Sequence, residues 1–300
     1  MNNTHVRCFV ATFVALLGGV GLGGLAHGQI YVVNNGSDTV GKYTISGATI
    51  NASLISGLSY PSGIAFGPNG HLYVASQGSY TIGEYTASGT LVNGSAVSCG
   101  TSQSGLAMDG SGNFFVAENV LNSIAEFNSS GALVNASLIP GLLQVQGVQY
   151  YGGHLFVRAG GTIGEYNTDG SAVNATLITG AVGAFQIGFD SSGQIYVPHQ
   201  SLGTIAVYSS SGTLLTSSLV SGLSYPEAVN ISPDGYLYVA EGNLGASRIS
   251  EFTLSGQDVN RSLITGLHVP EGLIVIPEPC SMLLLVIGLS TLLALHCRRR

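Results

Sequence analysis

Short runs of apolar residues recur at a regular interval along the chain. An aromatic residue followed by Val occurs six times, at spacings of 42, 42, 41, 40 and 42 residues. Each pair lies in a short segment rich in β-branched and aromatic residues, which is typical of a buried strand. A fixed period of this length indicates a fold built from copies of one small unit. The pairs are Tyr31-Val32, Tyr73-Val74, Phe115-Val116, Phe156-Val157, Tyr196-Val197 and Tyr238-Val239.

Each repeat contains signals for four strands. A tight-turn dipeptide such as Asn69-Gly70 precedes five of the pairs and suits a two-residue hairpin loop. The pair itself lies in the second strand of the unit. A polar loop then leads to the third strand, for example residues 81–85, and the fourth strand follows, for example residues 133–139 of the next repeat. A Gly turn leads to the first strand of a unit, for example residues 63–66. Four short strands in about 41 residues predict the blade of a β-propeller. A stacked solenoid is the alternative, but it would need a shorter coil and no closure.

The two ends of the repeat region complement each other. The chain enters at the second strand of a blade, residues 30–34, and leaves after a first strand, residues 272–276. Pairing of these strands would complete the last blade and remove the unpaired edges. The sequence therefore predicts an all-β, six-bladed β-propeller over residues 29–276, closed by its C-terminal strand.

The first 28 residues have the features of a secretory signal peptide. Basic Arg7 is followed by an apolar run over 8–25 and by small residues ahead of a cleavage site before Gln29. An N-terminal membrane anchor is the alternative. Several glycines in the second half of the run weaken a membrane-spanning helix.

The last 24 residues have the features of a membrane-inserted sorting segment. Residues 280–297 form an apolar stretch long enough for a transmembrane helix, and three arginines follow it. Since basic residues stay in the cytoplasm, the repeats would lie on the outer side of the inner membrane. A plain tail anchor is the alternative, but it leaves the preceding Pro-Glu-Pro unexplained. The residues concerned are Pro277, Glu278, Pro279, Arg298, Arg299 and Arg300.

This order of Pro-Glu-Pro, apolar helix and arginine cluster resembles the PEP-CTERM sorting signal of exported bacterial proteins. The resemblance implies processing by an exosortase-type enzyme after transient anchoring in the inner membrane. It also implies delivery to the cell surface or the extracellular space, commonly in connection with exopolysaccharide.

The net charge of the repeat region limits the kinds of molecule that it can bind. Between residues 30 and 276 there are four basic residues against six Asp and eight Glu, which gives a net charge of −10. Such a body repels phosphate backbones, so we do not expect it to bind nucleic acid. After removal of both ends Cys99 is the remaining cysteine, and the body therefore contains no disulfide.

The outermost predicted strands carry a recurring Asn-x-Ser/Thr. We interpret these Asn residues as polar groups that blunt exposed sheet edges, with glycan attachment as the alternative. They are Asn51, Asn93, Asn135, Asn174 and Asn260.

A candidate ligand site follows from the blade geometry. In a four-stranded antiparallel blade, the start of the first strand and the end of the second open on the same face, around the mouth of the central channel. Three acidic residues and two other polar residues collect there: Glu227 and Glu241 in one blade, Glu271 beside Asn34 in the next, and His199 in the blade before. Carboxylates brought together in this way raise one another's pKa or hold a hard cation such as calcium or magnesium. These five residues are the predicted ligand-binding set.

The amino-acid pattern of the repeat, for example in residues 225–229 and 233–240, resembles that of NHL and gluconolactonase-like propellers. The resemblance implies a divalent metal held at the channel mouth by a Glu, an Asn and an Asp, and Glu227 or Glu271 resembles that Glu. No Asp stands at the other inner positions, which is a departure from the pattern.

The sequence thus favours an exported, non-enzymatic surface or extracellular-matrix propeller that binds glycan, exopolysaccharide or protein through its channel-mouth face. One alternative is a divalent-metal-dependent hydrolase or lyase that uses Glu227, Glu241 and Glu271. Another is a structural spacer. No cofactor is predicted, and calcium or magnesium is the ion that the acidic positions would suit.

Overall fold

The computed structural model describes residues 28–276, except residues 182, 184, 243, 244 and 246. The predicted sorting segment and transmembrane helix, 277–300, and the signal peptide up to residue 27 lie outside this part of the chain. Within it, no helix is long and apolar enough to cross a membrane.

The described residues form 24 strands in six four-stranded antiparallel sheets, which confirms the predicted all-β, six-bladed propeller. Blade 1 contains β1 (Gln29–Asn34), β2 (Thr39–Thr44) and β3 (Thr49–Ile55). Blade 2 contains β4 (Pro61–Phe66), β5 (His71–Ser76), β6 (Thr81–Thr86) and β7 (Leu91–Ser98). Blade 3 contains β8 (Gln103–Met108), β9 (Phe114–Glu118), β10 (Ser123–Phe127) and β11 (Leu133–Ile139).

The remaining blades continue the same order. Blade 4 contains β12 (Val145–Tyr151), β13 (His154–Ala159), β14 (Thr162–Asn167) and β15 (Ala172–Thr179). Blade 5 contains β16 (Gly188–Phe189), β17 (Ile195–His199), β18 (Thr204–Tyr208) and β19 (Leu214–Val220). Blade 6 contains β20 (Pro226–Ile231), β21 (Tyr236–Glu241), β22 (Arg248–Thr253) and β23 (Asp258–Thr265), and the last strand is β24 (Pro270–Ile276). Short 3-10 turns lie at Asn35–Ser37 and Gln200–Leu202.

The ring closes through the predicted pairing of its two ends. Strand β24 pairs antiparallel with β1, with Leu273 opposite Val32 and Val275 opposite Ile30. Blade 1 is therefore built from one C-terminal and three N-terminal strands, in the order β24-β1-β2-β3. This closure leaves no first strand of the ring without a partner.

The core consists of apolar clusters between neighbouring blades. Both faces of each second strand are covered, so β1 is buried from Ile30 to Asn34 instead of alternating between buried and exposed. Tyr73 of blade 2 and Phe114 of blade 3 pack edge to face with ring centroids 5.1 Å apart. The recurring aromatic-Val pairs form this buried layer, which explains their period.

The first strands approach one another closely at the axis. A Cβ atom on Gly105 would lie 2.8 Å from the Cα of Gly147, and one on Gly147 would lie 2.2 Å from the carbonyl oxygen of Phe185. Glycine is required at Gly147 because any side chain there would collide with backbone. The central cavity is correspondingly small, about 20 Å³, which is room for about one water molecule. A larger ligand must therefore bind on the mouth of the channel.

Blade 5 departs from the expected regularity. Its first strand, β16, has two residues, because the preceding residues pair with blade 6 in place of their own blade. Gln186 forms a parallel bridge with Ala228, and the amide of Phe185 donates to the carbonyl of Glu227 at 2.8 Å. The side chain of Gln186 also donates to the carbonyl of Leu273 at 2.9 Å. These bonds tie blade 5 to blades 6 and 1 across the narrow axis.

The recurring Asn residues act on the backbone of the outer strands. In each case the side-chain oxygen accepts a hydrogen bond from the amide two residues later, as from Ser53 to Asn51 and from Ser137 to Asn135, both at 3.0 Å. The outer strands carry register shifts in the same region. Because the bond satisfies an edge amide locally, it supports the structural interpretation of these residues. The same bond is made by Asn93, Asn174 and Asn260.

Candidate functional site

A β-bulge near the start of the first strand presents one side chain at the channel mouth. In five blades the pairing of first and second strands skips one residue at this point. A bulge of this kind redirects a side chain without ending the strand. The bulged residues occupy the positions that the sequence analysis placed at the start of the first strand. They are Ser62, Ser104, Gln146, Glu227 and Glu271.

The two bulged serines join neighbouring blades. The hydroxyl of Ser62 donates to the carbonyl of Gln103 at 3.1 Å, and that of Ser104 donates to the carbonyl of Val145 at 3.0 Å. These positions contribute to closure of the ring. The bulged glutamates of blades 6 and 1 cannot donate when ionised, so they serve a different purpose.

Glu227 and Glu271 are brought together, as the sequence predicted. Each lies within the electrostatic influence of neighbouring groups: Glu227 acts on Glu271, and Arg158 acts on Glu227. Glu227 is 7% exposed, its Oε1 accepts a short hydrogen bond from Gln200, and its Oε2 has no partner among the described residues. Glu271 is half-buried and accepts a hydrogen bond from the side chain of Asn35 at 3.3 Å. The centre of the mouth therefore carries a carboxylate pair, Glu227 and Glu271, which we call the acid pair.

Burial raises the pKa of both members of the acid pair. The pKa of Glu271 rises to about 7, first because the carboxylate is desolvated and then because Glu227 is near, while the bond from Asn35 opposes the rise. Burial also raises the pKa of Glu227, against the bond from Gln200 and the charge of Arg158. Glu271 therefore changes charge near neutral pH.

A buried arginine lies behind the acid pair. Arg158 is 2% exposed, and its Nη2 donates to the carbonyl of Ala181 at 2.6 Å. Its Nε and Nη1 have no hydrogen-bond partner among the described residues. Burial lowers the pKa of Arg158 to about 10, against the opposing effect of Glu227, and burial followed by the charge of Arg158 lowers the pKa of His199. Arg158 therefore remains a cation at neutral pH and links His199 electrostatically to Glu227.

The repeat contained a signal for Arg158, although the predicted site did not include it. Arg158 follows directly on an aromatic-Val pair, and the residue at this place is apolar in all five other repeats. A charged residue in an otherwise apolar column is costly to bury unless it meets an opposite charge. The corresponding residues are Val33, Ala75, Ala117, Pro198 and Ala240.

Glu241, also predicted at the site, lies in a separate ion pair. Its side chain is fully buried and accepts hydrogen bonds from Arg248 Nε at 2.7 Å and Nη2 at 2.9 Å. The amide of Ser224 donates to it at 2.7 Å, and the hydroxyl of Ser250 makes a short bond. Both carboxylate oxygens are thus occupied within blade 6.

Asn34 is buried, and among the described residues its side chain makes no hydrogen bond to Glu271. Its side-chain oxygen accepts a bond from the amide of His268 at 3.4 Å. The register shift between Val33 and Asn34 places the side chain of Asn35 against Glu271 instead. Of the predicted set, the structure joins Glu227 with Glu271 and relates His199 to them through Arg158.

Large apolar side chains surround the mouth. They occupy the loops before the first strands and between the second and third strands, and each is between 50% and 75% exposed. The hairpins of the opposite face are built on turn residues such as Asn69-Gly70 and Asp234-Gly235. A cluster of exposed apolar residues on one face marks an interaction surface more often than chance. We call this set the mouth rim: Tyr60, Tyr80, Val120, Leu121, Leu143, Leu202 and Tyr225.

The three tyrosines of the mouth rim have a strained backbone. Their φ angles are 49° for Tyr60, 57° for Tyr80 and 52° for Tyr225. Bulky residues rarely adopt this left-handed conformation, and at the place of Tyr80 blades 1 and 3 have Asp38 and Asn122, which tolerate it. Such strain persists where the surrounding structure enforces it and is common at binding surfaces.

A polar depression of about 570 Å³ opens on the same face. It lies over blades 3 to 5 and shares Ser104 and Phe185 with the central cavity, which Glu271 lines. Its other walls consist mainly of amide side chains, which both donate and accept hydrogen bonds. They are Asn119, Asn122, Gln144 and Gln146.

Several solved structures share this fold. One is described as a nidogen/laminin complex, with a TM-score of 0.68 and 16% identity over 84% of this chain and 99% of that chain. A putative gluconolactonase gives a TM-score of 0.57 and 13% identity over 75% and 88% of the two chains. A streptogramin B lyase gives a TM-score of 0.53 and 21% identity over 70% and 72%.

These neighbours establish an NHL/gluconolactonase-like six-bladed propeller fold. Their functions differ, and a fold of this kind supports many activities. No protein-family model and no curated protein matches the chain.

A divalent metal of the gluconolactonase type does not fit the described residues. Nowhere in this part of the chain do three or more His, Cys, Asp or Glu side chains come together as metal ligands. Glu227 is influenced by the cation of Arg158, and Glu241 is held by Arg248. A divalent cation at the acid pair would lie near the guanidinium of Arg158, whose positive charge opposes its binding.

Proposed function

We propose that this protein is an exported, non-enzymatic binding propeller that holds an extracellular protein partner on its mouth rim. The observation that carries the proposal is the rim itself: seven large apolar side chains, at least half exposed, on one face of the ring. Tyrosine is among the residues that supply most of the affinity in protein interfaces, and the aliphatic side chains around it add apolar contact area that excludes water. The narrow axis directs a partner to this face because the central cavity is too small for a ligand.

The fold neighbours support a binding role without fixing it. The nidogen/laminin structure is by its description a complex of two proteins, whereas two other neighbours are named as a lyase and a gluconolactonase. The misfit of the acid pair to a divalent metal weighs against the hydrolase or lyase alternative. The three exposed tyrosines weigh against a passive spacer, since a spacer has no need of exposed aromatic rings around the mouth.

Photo-crosslinking in the cells that make the protein tests the protein-partner proposal. A crosslinking residue at Tyr60, Tyr80 or Tyr225 should join the chain to one discrete polypeptide. The same residue at Asn69 or Asp234, on the opposite face, should give no such product. Equal crosslinking from both faces, or none from the rim, would contradict the proposal.

A neutral glycan is a second candidate, which the amide-lined depression favours. Asn119, Gln144 and Gln146 offer paired donors and acceptors that match sugar hydroxyls. In that case the full-length protein should be retained on exopolysaccharide prepared from the same cells, and the Asn119→Ala, Gln146→Ala double variant should elute earlier. Equal retention of the double variant would show that the depression is not the glycan site, and no retention of the unaltered protein would favour the protein partner.

Export to the cell surface by a PEP-CTERM signal is part of the same proposal. It is supported by the sequence order of Pro277-Glu278-Pro279, apolar stretch and arginine cluster. The exosortase-type enzyme would act after the inner membrane has received the apolar stretch. The intact mass of protein recovered from the cell surface should end near Pro279, and surface protein that still carries Arg300 would contradict processing.

A further inference from the structure

The two members of the acid pair differ in how their charge is balanced. Glu227 has the cation of Arg158 nearby and a hydrogen bond from Gln200. Glu271 has a hydrogen bond from Asn35, and its neighbouring charge is the like charge of Glu227. With both carboxylates ionised and Arg158 protonated, the centre of the mouth carries one uncompensated negative charge.

A second observation points to a ligand at this place. Glu227 is more than nine-tenths buried, with 7% of its surface exposed, and its Oε2 has no hydrogen-bond partner among the described residues. A buried carboxylate oxygen left unpaired costs free energy that a donor can recover. Glu271 is half-buried and lines the central cavity, so a donor arriving from the mouth can contact its carboxylate directly. The donor reaches the buried Oε2 of Glu227 only when neighbouring side chains move.

The chemistry of the surroundings selects the kind of donor. A divalent ion would bring two positive charges to a place whose excess is one negative charge, near the buried cation of Arg158. A single ammonium or guanidinium group matches the excess of one negative charge and donates several hydrogen bonds. The mouth rim offers apolar contacts on either side of such a group.

We infer that the partner presents a Lys or Arg side chain, flanked by apolar residues, that inserts at the centre of the mouth rim and binds Glu227 and Glu271. The inference rests on the proposed function, because it assumes that a protein occupies the rim. It adds the chemical identity of the group that is recognised. Loss of this contact should cost about tenfold in affinity, as expected for one charge of a partly buried pair.

Selection from a random 12-residue peptide library displayed on phage tests the inference with the full-length protein as bait. Peptides captured by the unaltered protein should contain an excess of Lys or Arg next to apolar residues. Glu271→Gln should lose that excess and weaken the best peptide about tenfold. Asp169→Asn is the matched control, since it removes the same charge from an exposed turn on the opposite face, and it should leave selection and affinity unchanged.

The pH dependence of peptide binding gives a separate readout. The groups that face Glu271 or act on it are Glu227 from β20, Asn35 from the β1–β2 loop, and Arg158 and His199 behind Glu227. Because ionised Glu271 attracts the cation, the Kd should rise as pH falls from 8 to 6 and should be flat for Glu271→Gln.

The outcomes separate this inference from the proposed function. Selected peptides without basic residues that still depend on Tyr60 and Tyr225 would overturn the inference and keep the rim as the binding surface. Basic peptides that bind Glu271→Gln as well as the unaltered protein would also overturn it. Peptides that bind a Tyr60→Ser, Tyr225→Ser variant undiminished, or no selected peptides at all, would contradict both.

Discussion

The raised pKa of Glu271 makes the stability of the propeller depend on pH. Its folded pKa of about 7 lies above the ordinary value of 4.5, because burial and Glu227 disfavour the charged form. Ionisation therefore opposes folding: the cost is absent below about pH 4.5, grows between that pH and about 7, and is fully present above. At about 1.4 kcal/mol for each pH unit the cost reaches about 3 kcal/mol. Because Glu271 is half-buried and reaches solvent at the mouth, we expect about 1–2 kcal/mol.

The substitution Glu271→Gln removes this cost while keeping the size and an acceptor for Asn35. Urea unfolding at pH 5 and pH 8 should show little difference from the unaltered protein at pH 5 and a gain of about 1–2 kcal/mol at pH 8. In thermal unfolding the same gain corresponds to a rise in Tm of about 3–6 °C for a domain of this size. The variant Asp169→Asn should show no such pH-dependent difference, because the hydrogen bonds from Ser171 lower the pKa of Asp169 and keep it ionised throughout this range. Parallel pH profiles for Glu271→Gln and the unaltered protein would refute the reasoning.

Other features of the ring give further predictions. Arg248→Met leaves Glu241 buried without its cation, and urea unfolding should show a loss of about 3–5 kcal/mol. Gly147→Ala forces a Cβ against backbone and should cost about 1–3 kcal/mol in the same assay, whereas Gly94→Ala, which meets no close atom, should change little. A chain that ends before β24 lacks the closing strand, and size-exclusion chromatography should show aggregation through the exposed edge of β1. Calcium or magnesium should produce no chelator-reversible rise in Tm, and a rise that Glu271→Ala abolishes would restore the metal-site alternative.

Much of the fold can be predicted from the sequence, because the repeat shows which residues occupy equivalent positions in successive blades. Tyr31 and Tyr238 occupy the same place in their blades, so one blade predicts the next, and the unpaired strand at 272–276 has a single complementary partner. The proximity of Glu227 and Glu271 follows as well, since both begin first strands in adjacent blades. The short first strand of blade 5 was not predicted. It is short because Gln186 pairs with the neighbouring blade, and that pairing depends on packing at the axis.

The details of the site depend on features that periodicity does not encode. The left-handed backbone before the first strand recurs in four blades, at Tyr60, Gln144, Tyr225 and Val269. The repeat therefore encodes the conformation, but not the exposure of the tyrosine side chains that occupy it in two of these blades. The register shift at Val33 and Asn34 exchanges the contacts of two adjacent asparagines. The ion pair of Glu241 could be inferred from Arg248, which begins the adjacent strand, but its complete burial depends on the packing of blade 6.

The bulge explains how one fold can carry a specific face while the aromatic-Val layer stays unchanged. A bulged residue does not pair with the second strand, so its identity is free of the constraint that fixes the aromatic-Val layer. Blade 2 uses this freedom for Ser62, which bridges to the next blade, and blades 6 and 1 use it for Glu227 and Glu271. The cost of the two buried carboxylates is local and is reduced by Arg158, whose own burial is compensated by Glu227. The acid pair and Arg158 therefore form one electrostatic unit, and the rest of the ring supplies the stability that their burial costs.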